Sequence, residues 1–184
     1  MKLTDREWKP FKIKDIFQTF NGKHGLQVPT GAHIDKKDLK QGNIPRITVK
    51  DGNNGIDSFT FSEEKNFRTF ENFISVSFLG SVFYHPYIAS LDMKVHCLKL
   101  IEKNLNTYLA KFLIMIIKNN INNSSYGDQS SSTDLPQKRI LIPVTEKGKP
   151  DYKFMEDYIK EKENKIISKY TTYLENRNPL GGNA

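Results

Sequence analysis

The sequence predicts an α/β fold of the α+β kind, a body of short strands with one internal helix, followed by one long terminal helix. Three observations predict it. Short runs of alternating apolar and polar residues recur between Trp8 and Leu100, separated by turn residues. One stripe at helical spacing, Leu109, Phe112, Leu113, Ile116 and Ile117, follows them. From Tyr152 to Leu174 a single thin apolar stripe runs through otherwise charged residues.

The elements follow in order. Trp8 to Phe17 alternates and then drifts toward a helical turn, an opening strand or edge element. Gly22, Gly25, Pro29 and Gly31 mark a long loop that contains Lys23, His24 and His33. Ile44 to Val49 is a strand with Pro45 near its start, where a missing donor is tolerated. Asp51-Gly52-Asn53-Asn54-Gly55 has the composition of a tight turn with positive-φ positions. Phe73 to Phe78 alternates cleanly, Gly80 breaks it before Ser81 to Tyr84, and Val95 to Leu100 is a further strand. Asn119 to Thr133 is a polar loop, and Lys138 to Val144 a strand closed by Pro143. Asp151 caps the last helix, which over about 23 residues is about 34 Å long at 1.5 Å per residue. Its stripe, Met155, Ile159, Ile166, Tyr170 and Tyr173, steps by 4, 7, 4 and 3 residues, the pattern of a helix–helix seam with a partner. The alternative is packing along its own domain.

Composition narrows the function classes. At 184 residues the chain is long enough for one domain with a proper core, or for a domain plus an appendage, and 37% hydrophobic residues suffice for a core. Mean hydropathy is −0.58 and no apolar run approaches the roughly 20 residues of a membrane span. The charged N-terminus lacks the apolar stretch of a signal peptide, and the single cysteine, Cys97, leaves no internal disulfide. These features predict a cytoplasmic protein with no membrane partner. The net charge of +7 is unevenly placed: residues 151–177 carry six acids and six bases, so 22 bases and 15 acids fall in residues 1–150. A basic body with a neutral tail suits a polyanion-binding domain with a protein-facing helix, against the alternative of uniformly lysine-rich solvated faces.

Catalytic patterns are mostly missing. Asp151 and Glu163-Asn164-Lys165 spell a carboxylate–metal nuclease pattern, but both acids lie on one helix about 18 Å apart and cannot share an ion. Asp57 with Glu63 and Lys65 is a second such match, in a turn-rich stretch, and defines the enzyme alternative, a small magnesium-dependent nuclease. No phosphate-binding or dinucleotide-binding glycine loop is present. His24, His33, His85 and His96 lack metal-ligand spacing, and His96-Cys97 reads as core. The expectation is no catalytic residue, no metal and no cofactor. What remains is a set of polar turns. Arg46, Lys50, Asn53 and Asn54 are of types that bond to base edges in the major groove. Lys23, with Lys36, Lys37 and Lys40, suits phosphates, which position without specifying. His24, Ser81, Tyr84 and Tyr126 add further tips, so the candidate DNA-binding set is Lys23, His24, Arg46, Lys50, Asn53, Asn54, Ser81, Tyr84 and Tyr126.

These stretches carry a resemblance. Trp8 with Asp15-Ile16-Phe17, Gly42-Asn43-Ile44-Pro45-Arg46-Ile47, Asn53-Asn54-Gly55-Ile56, Gly80 to Tyr84, the segment around Tyr126-Gly127, and Ile140 to Val144 resemble the specificity subunits of type I restriction-modification enzymes. The ending, Gly148 to Ile159, is similar to specificity chains of BcgI-like systems. The resemblance implies a target-recognition domain with a curved mixed sheet over residues 1–150, a spacer helix for dimerisation and docking over 151–178, and a tail over 179–184. It implies double-stranded DNA as ligand, and methyltransferase (modification) and restriction subunits as partners that carry the catalysis. The family's pattern has two such units in tandem, whereas one is present here. The expectation is therefore either a half-subunit that forms a homodimer or pairs with a second specificity half through Met155, Ile159, Ile166, Tyr170 and Tyr173, or one part of a larger specificity chain. A basic protein-interaction module is the remaining alternative.

Overall fold

The computed structural model describes residues 1–122 and 131–177. The strands are β1 (Glu7–Lys12), β2 (Phe20–Gly22), β3 (Gly25–Gln27), β4 (Lys40–Ile47), β5 (Ile56–Phe61), β6 (Thr69–Phe70), β7 (Phe73–Ser77), β8 (Val82–His85), β9 (Ala89–Leu91), β10 (Val95–Leu98) and β11 (Arg139–Val144). The helices are the single turn α1 (Ile13–Ile16), then α2 (Thr107–Asn122) and α3 (Tyr152–Arg177). Mixed pairing is present, but the strands divide into four ladders. A four-stranded ladder runs β5-β4-β9-β6 and a three-stranded antiparallel one runs β10-β7-β8. The ribbon β1-β11 joins the two ends of the body, from Glu7↔Val144 to Lys12↔Arg139. In the four-stranded ladder only β4 and β9 run parallel, through Arg46↔Ser90 and Ile47↔Leu91.

The glycine-rich stretch expected to be one long loop contains the hairpin β2-β3, whose turn holds Lys23 and His24. Gly25 at φ 96° supplies the left-handed residue such a tight turn needs. Strands β5, β6 and β9 escaped the sequence pattern because each is short or sits among turn residues.

The main core joins both ends of the chain. Ile13, Ile16 and Phe17 pack with Ile74, Val76 and Leu98 of the three-stranded ladder, the α2 stripe, and Met155 of α3. A smaller cluster, Ile47, Phe73, Ala89, Leu91, Val95 and Cys97, fills the space behind the four-stranded ladder. Asn106 starts α2 by accepting from the Leu109 N–H at 2.9 Å, and Asp151 caps α3 by accepting from the Phe154 N–H at 2.9 Å.

Helix α3 has two parts. Phe154, Met155 and Glu156 are buried, and Tyr158 and Ile159 are half-buried against the core. Each fully buried apolar side chain contributes about 1.5–3 kcal/mol, so this first part is fastened to the body. Lys103–Glu156 (2.5 Å) and Lys111–Glu163 add ion pairs. From Asn164 to Arg177 every residue is exposed, Ile166 at 68%, Tyr170 at 61% and Tyr173 at 53%. The stripe expected to face a partner is therefore split. Met155 and Ile159 are spent on the chain's own core, and Ile166, Tyr170 and Tyr173 remain open. No helix among the described residues is long and apolar enough to cross a membrane.

Strand β5 is an outer edge. Asp57, Phe59 and Phe61 point outward from it, the two phenylalanines 54% and 44% exposed. The ion pairs Lys50–Asp57 (2.5 Å) and Lys40–Glu63 (3.0 Å) flank them.

Candidate nucleic-acid interface

Three turns meet at one end of the ladders. The first, residues 50–55, joins β4 to β5. Asn53 and Asn54 both adopt left-handed backbone (φ 51° and 52°), which asparagine tolerates better than other non-glycine residues, and Gly55 follows at φ 76°. Thr48 N–H donates to the Gly55 carbonyl and Gly55 N–H to that of Gly52, both at 2.9 Å, which closes the turn and exposes both asparagine side chains. Lys50 is held by Asp57, and this bond is the main cause that keeps the Asp57 carboxyl below its usual range.

The second turn, Phe78-Leu79-Gly80, joins β7 to β8. Gly80 at φ 91° donates to the Ser77 carbonyl at 2.9 Å. Ser81 braces the turn, since its N–H and its hydroxyl both reach Ser77 Oγ, at 3.0 and 2.6 Å. The third, Asp92-Met93-Lys94, joins β9 to β10 and is closed by Val95 N–H donating to the Asp92 carbonyl at 3.0 Å. Phe78 N–H donates to the Lys94 carbonyl at 2.9 Å and locks the second and third turns together. An open groove of about 410 Å³ separates the first turn from the second, lined by Val49, Asp51, Leu79, Gly80, Ser81 and Lys118.

The residues expected at an interface are not all on it. Lys50, Asn53 and Asn54 are together and exposed; Lys23 and His24 are exposed on the separate β2-β3 hairpin. Arg46 is the main correction. It is 3% exposed, and its guanidinium donates to the Ala32 carbonyl (2.9 Å), the Leu91 carbonyl (3.3 Å), Asp92 Oδ2 (3.3 Å) and Ser90 Oγ (3.4 Å). A strand position beside a parallel neighbour turns this side chain inward, where it fastens the β9–β10 turn to residue 32. Ser81 is likewise buried, as the brace just described. Tyr84 is half-buried, its hydroxyl donating to Asn72 Oδ1 at 3.0 Å, and burial raises its pKa. Tyr126 lies outside the described residues. Leu79, Met93, Lys94 and Lys118, which line this end, were missed; Gly80 was the available signal for Leu79, since it marks the turn that lifts its neighbour outward.

The chemistry of the other candidates is simple. Asp57 and Glu63, the acids of the nuclease alternative, are exposed, and each is engaged by a lysine. Among the described residues no group of three His, Cys, Asp or Glu side chains is placed to hold a metal ion. Cys97 is buried in β10, and desolvation pushes its thiol up to about 12, far from a thiolate nucleophile. His85 is buried between Ser75 Oγ (2.8 Å) and the Tyr87 hydroxyl (3.2 Å), and burial lowers its pKa to about 4.

An α+β body of one mixed and three antiparallel ladders, with one long, half-free terminal helix, is the class of structure these observations define. Residues 5–171 match the family model described as the type I restriction modification DNA specificity domain. The chain belongs to that family. It is 36% identical over 172 residues to the specificity subunit S.BcgI of a type II restriction enzyme from Heyndrickxia coagulans, covering 92% of this chain and 47% of the relative. The chain thus spans about half the length of the curated relative it matches. Among solved structures, the S subunit of a type I restriction-modification system from M. genitalium superposes with a TM-score of 0.56 at 17% identity, over 80% of this chain and 37% of that one. The HsdS subunit from Thermoanaerobacter tengcongensis gives 0.59 at 9% identity, over 88% and 38%. At these identities the two structures speak for the fold.

Proposed function

We propose that this chain is a sequence-recognition unit of a restriction-modification system: it binds duplex DNA, performs no chemistry itself, and directs methylation and cleavage by separate modification and restriction subunits in the cytoplasm. The observation that carries this is the match of the DNA specificity family over nearly the whole described chain. The excess of 22 bases over 15 acids in residues 1–150 supports it, because phosphate neutralisation supplies most of the affinity of such proteins. In this proposal residues 1–150 are the recognition body. Lys50, Asn53 and Asn54 approach base edges; Lys23 and His24 approach the backbone. Arg46 and Ser81 shape the turns from within. Selection from a pool of random duplexes tests it. An enriched motif is the expected result; no motif, with modification subunits present, overturns the proposal.

We further propose that residues 151–178 form a spacer that pairs with a second copy or a second specificity half. Ile166, Tyr170 and Tyr173, with the exposed Ile167 and Leu174, favour this, since a solvent-exposed helix end has no use for five apolar side chains. Self-pairing makes the target a two-part palindrome, and an enriched motif without two-fold symmetry contradicts it.

A further inference from the structure

The turn between β7 and β8 presents one apolar side chain in a fixed position. Leu79 is 68% exposed, which with Ile166 is the highest value for a large hydrophobic side chain among the described residues. Unlike Ile166 on its long helix, Leu79 sits on a turn locked from behind. The Ser77–Ser81 hydroxyl bond, the Gly80–Ser77 backbone bond and the Phe78–Lys94 backbone bond hold it from three directions. Its position therefore belongs to the fold and is not left to a mobile loop.

Its surroundings are cationic. Lys94 Nζ lies over the Phe78 ring at 5.6 Å and Lys118 Nζ over the Phe83 ring at 5.8 Å, one on each flank of the turn. Among the described residues neither ammonium has a carboxylate partner, whereas Lys40, Lys50, Lys103 and Lys111 are each held in an ion pair. Of the acids near the turns, Asp92 is turned to Arg46 and Asp57 is held by Lys50, while the exposed Asp51 lines the far wall of the groove beside Asn53 and Asn54. An apolar tip between two uncommitted cations fits a partner with paired anionic rails and an apolar group between them. Duplex DNA has that form. Its phosphates are the rails, and the 5-methyl group of thymine is the apolar feature of the major-groove base edges.

Resting on the duplex-binding role proposed above, we propose that Leu79 is a specificity-determining residue that meets a thymine 5-methyl group in the major groove, with Lys94 and Lys118 on the adjoining phosphates. The test uses the full chain and the duplex enriched from the random pool, with each thymine replaced singly by deoxyuridine. That replacement removes only the methyl group. The parent protein should bind about fourfold more weakly at one such position, the effect of exposing about one methyl group. Leu79→Ala should bind the thymine and deoxyuridine duplexes equally there. Leu79→Met, which keeps an apolar tip, should retain most of the preference. The exposure of Leu79 means that both variants fold, and unchanged melting checks this. An enriched motif without thymine, a parent protein indifferent to every deoxyuridine replacement, or a preference that survives Leu79→Ala overturns the proposal. Each of these leaves duplex recognition itself standing, whereas the failure of that role shows as no enriched motif at all. Loss of modification-subunit binding in Leu79→Ala with unchanged DNA affinity would mark the tip as a protein contact and also overturn it.

Discussion

Replacing Arg46 separates a base-reading arginine from a buried one. If Arg46 touched DNA, Arg46→Ala would cost about 1–3 kcal/mol of binding at one base position and leave folding alone. The geometry places the loss in stability instead. Among its four bonds the 2.9 Å contact to the Ala32 carbonyl is well formed, and the three at 3.3–3.4 Å are long. A charge-assisted bond of the first kind contributes about 1.5–3 kcal/mol. The Asp92 carboxylate is 30% exposed, so its pairing adds under about 1 kcal/mol. Truncation also removes two buried methylenes, at about 0.8 kcal/mol each. The total is about 4 kcal/mol, which in a domain of this size lowers the melting temperature by roughly 8–16 °C. Urea and thermal unfolding measure it, and Arg46→Lys should recover only part because an ammonium cannot span the separated carbonyls. A variant that melts within about 1 °C of the parent while relaxing one base position would refute the reasoning.

His85 is neutral in the fold with a pKa of about 4 and takes up a proton near 6.5 when unfolded, so the unfolded chain binds more protons between those values. Stability should therefore fall with pH through that window, by about 2 kcal/mol from pH 7 to 5 for this group, and His85→Gln should flatten the slope; parallel urea curves for both proteins would count against it. Ile166→Glu should shift a dimer toward monomer in sedimentation while changing stability by less than about 0.5 kcal/mol, and an unchanged mass would remove the helix seam. Lys23→Ala should weaken binding to all duplexes alike and reduce the slope of log affinity against log salt by about 1; a change confined to one sequence would show that it reads a base.

Much of the architecture was legible in the sequence because it rests on periodicity. The α2 stripe and the Asp151 cap each reflect one local rule and are where that rule puts them, and Phe73 to Ser77 is the strand its alternation predicts, although Ser75 and Ser77 are buried along with their apolar neighbours. The Asn53-Asn54-Gly55 turn was legible for the same reason, since few residues accept that backbone. The site was less so. Side-chain type told that Arg46 could bond a base edge, but not that its strand lies beside β9 and turns it inward. Ser81 shares a neighbourhood with the exposed turn and yet points to Ser77. Leu79 carried no polar signal at all. Helix α3 misled in a different way, because one continuous stripe serves two surfaces, Met155 and Ile159 against the body and Ile166 onward in solvent. Periodicity reports which residues are apolar together, and it is silent on what covers them.

The unpaired rim of β5 bears on how the protein is handled. Open backbone donors beside two outward phenylalanines are a template for strand-to-strand association between copies. The charges of Lys40, Glu63, Lys50 and Asp57 stand at that rim, and concentrated salt screens such surface charges. The same salt that strips adhering nucleic acid during purification thus removes a guard against self-adhesion. A preparation cleaned at high ionic strength is best returned to dilute buffer before it is concentrated.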